Sequence, residues 1–554
     1  MPTADPRPTR IRYAIVLVAM LAAVLLYLER VCLSVAEVFI REDLHISKAG
    51  MGWVLSAFFF AYALGQVPGG WLAQRYGPRL MMTLYMLGLA VFAACIAFSQ
   101  DIVSLFISRL LLGASQAGAY PTAALLVKRW VPDKDRGFAS SVVAFGGRFG
   151  GASANWLTGL LIVAFVPMGT PTAVTDGQIL NLTPIVSPNE DQVKEQEKTP
   201  ALDPVRDKVR KSLSALPAGE LLPALNKFVS PHSEFDDLDW ANVGLPQDAK
   251  RVVAKPVAER TPEESERLNR LVLEKAFPGA IRQLHTDGWR PTMYVYAGIA
   301  VVVALAFWVL ARNRPTEHTW CNDAEKLLIV NGQSSGSQQA GTTAVPWKEL
   351  VSSRNQWYFS AFQLFNNLGW VFLITYAARY LDERFRVPVD ERGLMTTVPL
   401  FAAALGMLFG GWLTDRLSRK IGVRWGRAIP GGLFKIPCVL AMTACPFLPT
   451  PWAVVIALTI VSVCTDIGVP ATWAFAQDTG GRQAATVLGW GNMWGNLGAA
   501  AGAKLLDTVA TAWGLEAMMY CCAAAFAASG TLATLANASE PLFKESTPPT
   551  TPSP

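Results

Sequence analysis

The chain has 554 residues, 52% of them hydrophobic and 16% charged, with a formal net charge of +6 and a mean hydropathy of +0.30. That is more apolar than a soluble core requires, so a bilayer is the expected solvent. The small basic excess follows a loop asymmetry and gives no support for nucleic-acid binding. Eight cysteines lie mostly in apolar stretches without Cys-x-x-Cys spacing, which indicates neither a disulfide framework nor a zinc site.

With roughly 20 apolar residues needed per crossing helix, twelve spans are predicted. They are Ile11 to Ala36, Met51 to Ala73, Arg79 to Phe98, Ile102 to Val127, Gly137 to Val166, Pro291 to Ala311, Trp357 to Tyr380, Gly393 to Thr414, Ala428 to Phe447, Trp452 to Ala476, Gln483 to Leu506 and Ala512 to Leu535. The first ends in Glu29 and Arg30 and is too long for a cleaved signal peptide. The predicted layout is spans 1–5 in 1–166, a polar insertion at 167–289, span 6 in 290–312, a linker at 313–355, spans 7–12 in 356–537 and a tail at 538–554.

Two connections are unusual. The insertion is far longer than an ordinary loop, and its Pro-, Glu-, Lys- and Asp-rich composition predicts a partly ordered decoration. Within it, Thr261, Pro262 and Glu264 form a capping signature ahead of Leu268, Leu271, Val272 and Ala276 at helical spacing, which predicts one helix. The linker contains the Gly/Ser/Gln-rich stretch 331–343 and reads as flexible.

Basic residues concentrate after even-numbered spans: Arg75 and Arg79, then Lys128, Arg129, Lys134 and Arg136, then Arg416, Arg419, Lys420, Arg424 and Arg427, then Arg482. Positive loops stay in the cytoplasm, so both termini are expected there, in the plasma (inner) membrane, with the insertion outside.

One short sequence occurs twice. Gly69 to Arg75 reads Gly-Gly-Trp-Leu-Ala-Gln-Arg, and Gly410 to Arg416 reads Gly-Gly-Trp-Leu-Thr-Asp-Arg. Each closes an apolar run and opens a basic loop, so the chain is a duplicated bundle of spanning helices, the usual build of a secondary transporter.

Charges inside spans are costly, by roughly 2.5 to 3.5 kcal/mol each on insertion scales, and call for a reason. Span 1 carries Tyr27, Glu29 and Arg30, span 4 carries Arg109 and Gln116 on one face, and span 5 carries Arg148 in a glycine-rich run. Tyr62 of span 2 is a further candidate. Guanidinium groups grip carboxylates through paired hydrogen bonds, so Arg30, Arg109 and Arg148 lining a wet cavity would select anions. The alternative is that each arginine caps a carbonyl or pairs with Glu29 to hold helices together. Glu29 could carry a proton: burial raises a carboxyl's proton affinity and a nearby arginine lowers it.

In the second half, Asn366 and Asn367 lie in span 7, Asp466 and Trp473 in span 10, and Asn492 and Asn496 share one face of span 11. Amides suit sugar hydroxyls, being donor and acceptor at once, and serve equally as interhelical glue. The glycine runs 146–151 and 489–502 read as close helix packing, because no strand precedes them. No metal spacing, nucleophile triad or nucleotide motif is present, so no metal, cofactor or enzymatic activity is expected.

These residues resemble the major facilitator superfamily, and within it the anion:cation symporter family of D-galactonate, hexuronate and phthalate permeases. The likeness rests on Tyr27 to Arg30, the duplicated loop, Arg109 to Gly113 with Pro121, Arg148 to Ala152, Gly288-Trp-Arg290, and the run from Trp473 through Asp478 to Asn496. It implies two pseudo-symmetric six-helix bundles that work as a monomeric alternating-access carrier in the lipid bilayer. It implies substrate binding at Tyr27, Arg30, Tyr62, Arg109, Arg148, Asn366, Trp473, Asn492 and Asn496, with proton coupling, or Na+ in its place, through Glu29, Arg109 and Gln116. The implied cargo is a small carboxylate such as a hexuronate or aldonate. An exporter of amphiphiles, or a receptor using the insertion as a ligand module, are the alternatives.

Two departures from the family pattern matter. Gln116 stands where many relatives have a second coupling Glu, and Gln74 replaces the acid that Asp415 keeps in the second loop. The implied conformational switch comprises Gly70, Gln74 and Arg75 with Gly411, Asp415 and Arg416. In the family that acid faces a helix N-terminus, where negative charge is favoured, so its loss at Gln74 is expected to shift the resting conformation.

Overall fold

The computed structural model describes residues 7–333 and 344–543, apart from position 168, scattered positions between 189 and 244, and positions 386 and 388. Of the linker expected to be flexible, 334–343 lies outside the described residues, as does the end of the tail, 544–554; the rest of the linker differs from that expectation in holding two short helices, Asp323–Asn331 and Trp347–Ser352.

Each predicted span is one helix or a run of abutting helical segments. Span 1 is Ile11–Asp43, span 2 Lys48–Tyr76 and span 3 Pro78–Phe98. Span 4 is Ile102–Ala117 followed by Ala119–Trp130, span 5 is Arg136–Ala164 and span 6 is Trp289–Leu310. In the second half, span 7 runs from Arg354–Val371 through a π-helical turn at Phe372–Tyr376 into Ala377–Phe385, and span 8 is Val389–Ile421. Span 9 joins Val423–Ala428, a π turn at Ile429–Leu433 and Lys435–Ala444; span 10 joins Pro451–Ile467 and Val469–Thr479. Spans 11 and 12 are Ala484–Trp513 and Leu515–Leu535.

Helix ends follow local chemistry. Asp101 caps span 4 by accepting from the N–H of Val103 (2.8 Å) and Ser104 (2.9 Å). After each copy of the duplicated loop a glycine in the left-handed region turns the chain, Gly77 at φ +92° and Gly422 at φ +85°, a conformation that side chains with a Cβ disfavour. Spans 4 and 10 break at equivalent glycines, Gly118 and Gly468. Just beyond them Pro121 and Pro470 lack the N–H that would continue the helical ladder.

The packing repeats as the sequence does. Spans 1 and 5, 2 and 4, and 3 and 6 pair in the first half; 7 and 11, 8 and 10, and 9 and 12 pair in the second. Spans 2 with 11 and 5 with 8 join the halves. The glycine runs serve this packing: a Cβ on Gly146 would lie 2.5 Å from the Met20 carbonyl oxygen, and one on Gly498 would press on the Leu364 carbonyl.

Nine of the described helical stretches are both long and apolar enough to cross a bilayer. Spans 5, 7 and 11 fall outside that set. They carry Arg148, the Asn366/Asn367 pair and the Asn492/Asn496 pair, together with exposed polar side chains such as Asn155, Lys504 and Asp507.

The insertion differs from its expectation. It contains helices Asp203–Leu213, Leu221–Val229, Gln247–Val253 and Pro262–Ala276, and they enclose a hydrophobic core of their own that includes Val209, Leu225, Val272, Phe277 and Ile281. Charge-rich composition concealed this because its few apolar residues fall on the inward faces. The helix signalled in the sequence is Pro262–Ala276. Thr261 Oγ1 accepts from the Glu264 N–H (3.2 Å), and the Glu264 carboxylate accepts from the Thr261 N–H (3.1 Å). The insertion is tied to the end of the first half opposite the basic loops. Glu42 accepts from the Gln283 N–H (3.0 Å) and Thr286 Oγ1 (3.1 Å), while Asp43 pairs with Arg282 (2.7 Å) and Arg290 (3.0 Å).

A central cavity and a latch between the halves

A cavity of about 170 Å³ lies between the halves, space for on the order of ten waters by the one-probe-sphere measure. Span 1 contributes Tyr27 and Arg30, span 2 Tyr62, span 4 Tyr120 and span 5 Arg148; span 7 contributes Asn366, Asn367 and Trp370, span 9 Lys435, span 10 Asp466 and Trp473, and span 11 Asn492 and Asn496. Of the expected substrate residues, all but Arg109 line it.

Arg30 sits in an aromatic cage, its guanidinium carbon 4.5 Å from the Tyr27 ring centroid and 4.3 Å from that of Tyr62. Its Nε and Nη2 are buried and find no hydrogen-bond partner. A charge held by π faces keeps its in-plane donors free for a ligand. Tyr27, Tyr120 and Trp473 continue the wall through edge-to-face contacts at 5.9 and 5.3 Å.

Arg148 differs from its expectation. It forms a two-pronged ion pair with Asp466 of the other half, Nε to Oδ2 at 2.9 Å and Nη2 to Oδ1 at 2.8 Å, and lies 4.2 Å over the Trp370 ring. Asp466 is fully buried and both its oxygens are used. The sequence contained both residues without a reason to join them, because nothing in it sets the distance between spans 5 and 10.

Arg109 is a correction to the expected lining. It is buried behind Arg30, donating from Nη2 to the Arg30 carbonyl (2.9 Å) with the Phe58 ring 4.5 Å away. Phe58 also stacks on Tyr62 at 5.6 Å and so separates Arg109 from the open space. Its Nε and Nη1, one oxygen of Glu29, and both amide atoms of Gln116 are buried without partners. Among the described residues no ion pair within 4.0 Å reaches Glu29, so the permanent Glu29 to arginine pair is absent. These three residues form a polar layer behind the cavity wall.

The amides divide in the same way. Asn492 Oδ1 accepts from Gln363 Nε2 (3.1 Å), and Asn496 and Asn367 donate to carbonyls one turn back on their own helices (2.8 and 2.9 Å). Asn366 keeps a buried Oδ1 without a donor.

Hydrogen bonds that join the halves cluster at the basic-loop end. Asp415 accepts from the N–H of Gly137 and of Phe138, both at 2.8 Å, at the N-terminus of span 5. In the equivalent place Gln74 accepts from Thr486 Oγ1 (2.6 Å) near the start of span 11, and its Nε2 has no partner. Lys128 donates to the carbonyls of Gln477 and Gly481, both at 2.6 Å. The motif glycines allow the close approach: a Cβ on Gly70 would stand 2.5 Å from the Ala485 carbonyl oxygen, and one on Gly411 would press on Ser141. Arg75 and Arg416 lie over Trp71 and Trp412 of their own helices, each at 5.3 Å.

Lys435 is a lining residue that sequence reasoning missed. It is a lysine in the middle of an apolar span, and the cost argument applied to the arginines would have found it. Tyr120 and Trp370 carried no comparable signal, since aromatic residues are ordinary in a bilayer span.

A duplicated bundle of twelve spanning helices around a central polar cavity, latched at one end, defines a multi-pass membrane transporter rather than an enzyme. The Major Facilitator Superfamily model matches residues 19–217 and 279–503, and the chain belongs to that superfamily. A probable sulfoacetate transporter of Cupriavidus necator is 23% identical over 87% of this chain and 83% of its own length. A probable galactarate/D-glucarate transporter of Bacillus subtilis is 22% identical over 89% and 84%. The D-galactonate transporter of Escherichia coli is 35% identical over a shorter stretch, 29% of this chain and 37% of its own. Among solved structures, the transporter FucP in the outward conformation superposes with a TM-score of 0.56 at 14% identity, covering 94% of this chain and 98% of its own. The proton:xylose symporter XylE gives 0.55 at 12% identity, covering 95% and 94%.

Proposed function

We propose that the protein is a secondary transporter that takes up a small organic anion of the sugar-acid kind, hexuronates and aldonates among them, by alternating access coupled to protons. The observation that carries this reading is Arg30, a cavity-lining residue held in a tyrosine cage with two buried donors, Nε and Nη2, that no protein group accepts. A carboxylate there would accept both, in the paired geometry that guanidinium offers. The names of the relatives, transporters of sugar acids and of a sulfonated acid, support the same class of cargo.

Basic loops on the cytoplasmic side of a plasma membrane make the latched end cytoplasmic and the insertion external. The latch then closes the cytoplasmic end in this conformation. Glu29 adjoins Arg30 in sequence and is the one fully buried carboxyl of the first half among the described residues. Arg109 is bonded to the Arg30 carbonyl and shares the buried polar layer with Glu29. Anion arrival at Arg30 and proton occupancy at Glu29 are coupled through this contact. Gln116 cannot titrate, which leaves Glu29 as the single carrier on the first half.

Proteoliposomes loaded to impose an inward proton gradient test the scheme with labelled galactonate. Arg30→Ala is expected to abolish uptake. Glu29→Gln is expected to abolish accumulation while counterflow exchange continues. Uptake unchanged in Arg30→Ala would remove the anion site, and accumulation by Glu29→Gln would remove the proton carrier.

A further inference from the structure

We infer that the cavity is shaped by charge for a dianion, one acidic group resting on Arg30 of the first half and a second on Lys435 of the other; this rests on the reading of the cavity as an anion site. Three cationic side chains line the space, Arg30, Arg148 and Lys435, against one carboxylate, Asp466. Arg148 and Asp466 satisfy each other through two hydrogen bonds, so that pair is internally neutral and two positive charges remain.

Lys435 is 1% exposed and makes no hydrogen bond or ion pair among the described residues; the nearest aromatic face, Phe526, is 5.8 Å from its nitrogen. A lysine serving as interhelical glue would show a carbonyl or carboxylate partner. A buried cation without one carries a large desolvation penalty, which an acidic group of the substrate would offset. Arg30 is incomplete in the same way, with Nε and Nη2 unpaired.

The two cations belong to different halves, on spans 1 and 9. A substrate acidic at both ends spans the gap between the halves, so its binding favours their approach on the open side. A monoanion meets one cation and leaves the other unpaired. On the lining of the same cavity, the Oδ1 of Asn366 has no donor and offers an acceptor for a hydroxyl. The favoured class is therefore a short hydroxylated diacid, or a carboxylate carrying a second strong acid such as a sulfonate.

Galactarate and galactonate test this as a matched pair, because they share one hydroxylated chain and differ in having a carboxylate or an alcohol at carbon 6. In counterflow exchange with proteoliposomes, the intact protein is expected to prefer galactarate by about tenfold, the factor carried by one extra ion pair of 1.4 kcal/mol. Lys435→Met is expected to bring the ratio near one, and Lys435→Arg to preserve it. An intact protein that treats the two acids alike or prefers galactonate overturns the dianion inference alone, whatever the variants do. A Lys435→Met ratio equal to that of the intact protein overturns the role of Lys435. Failure of the intact protein to exchange either acid removes the anion-site reading itself.

Discussion

Asp415→Asn isolates the latch, because the substitution keeps shape and removes charge. Asp415 is 3% exposed and accepts two backbone N–H groups, each at 2.8 Å, from the first turn of a helix belonging to the other half. Asparagine has one acceptor oxygen and would turn an NH2 toward the second amide. One charge-assisted hydrogen bond, about 1.5 to 3 kcal/mol, is lost, together with the favourable charge at a helix N-terminus, about 0.3 to 1 kcal/mol and up to about 2 when partly buried. Taking about 3 kcal/mol together, the latched population falls by about a hundredfold relative to the unlatched one, at 1.4 kcal/mol per factor of ten. Spin labels at positions 134 and 420, exposed lysines of the two halves at the latched end, would report it in a background without the eight native cysteines. The intact latch should give one short distance, and Asp415→Asn a population at longer distance. An identical distance distribution in the two proteins would refute the assignment of Asp415 as the element that holds this conformation.

Gln74→Glu should act in the opposite sense, replacing an unpartnered Nε2 with an oxygen near the start of span 11; slower exchange with the short distance retained is expected, and faster exchange would contradict it. Arg148→Met strands the buried Asp466 carboxylate and should destabilise the protein by about 3 kcal/mol or more, while Arg148→Met with Asp466→Asn recovers much of that. Equal melting temperatures for the single and double variants would show that the pair is not an energetic unit. In the insertion, burial pushes the Glu274 carboxyl up to about 7, against the pull of Arg270. A carboxyl with a raised folded-state pKa contributes stability that is complete below its ordinary value of 4.5 and is lost as pH rises through about 7. Protection of helix Pro262–Ala276 from hydrogen exchange, corrected for intrinsic rates, should thus fall between pH 5 and 8 (roughly the window set by those values), and Glu274→Gln should flatten the trend.

The twelve spans were legible because a bilayer obliges each crossing to be a long apolar helix, and the duplicated Gly-Gly-Trp-Leu loop gave the two-fold repeat. Ends were less so. Span 1 continues past Ala36 to Asp43 because its last turns leave the apolar zone and meet the insertion, where Glu42 and Asp43 find their partners. The core of the insertion was hidden for a related reason. Composition averages over a segment, and a small helical module needs only one apolar face per helix, which Val205, Val209 and Leu213 supply on Asp203–Leu213.

At the site, residue type was legible and pairing was not. A charged side chain in a span announces itself by its cost, which singled out Arg30, Arg109 and Arg148 and should have singled out Lys435. Whether such a charge faces a ligand, a neighbour or a buried layer depends on which helices adjoin, a fact fixed by tertiary packing. Span 5 packs beside span 10, so Arg148 meets Asp466 and becomes a strut between the halves; span 4 packs behind span 1, so Arg109 supports the Arg30 carbonyl in place of a substrate. The duplication then explains why the two halves share a frame but not a function. Both retain the broken helix, the left-handed glycine after the loop and the close glycine contacts, all of which backbone geometry requires. The side chains that bear charge have diverged: among the described residues the latch carboxylate is kept only at Asp415, the buried acid of the first half, Glu29, has no ion-pair partner while Asp466 of the second is paired with Arg148, and one unpaired cavity cation stands on each side. Alternating access needs this combination, since a symmetric frame lets either end open while asymmetric charges decide which end is latched when the cavity is empty.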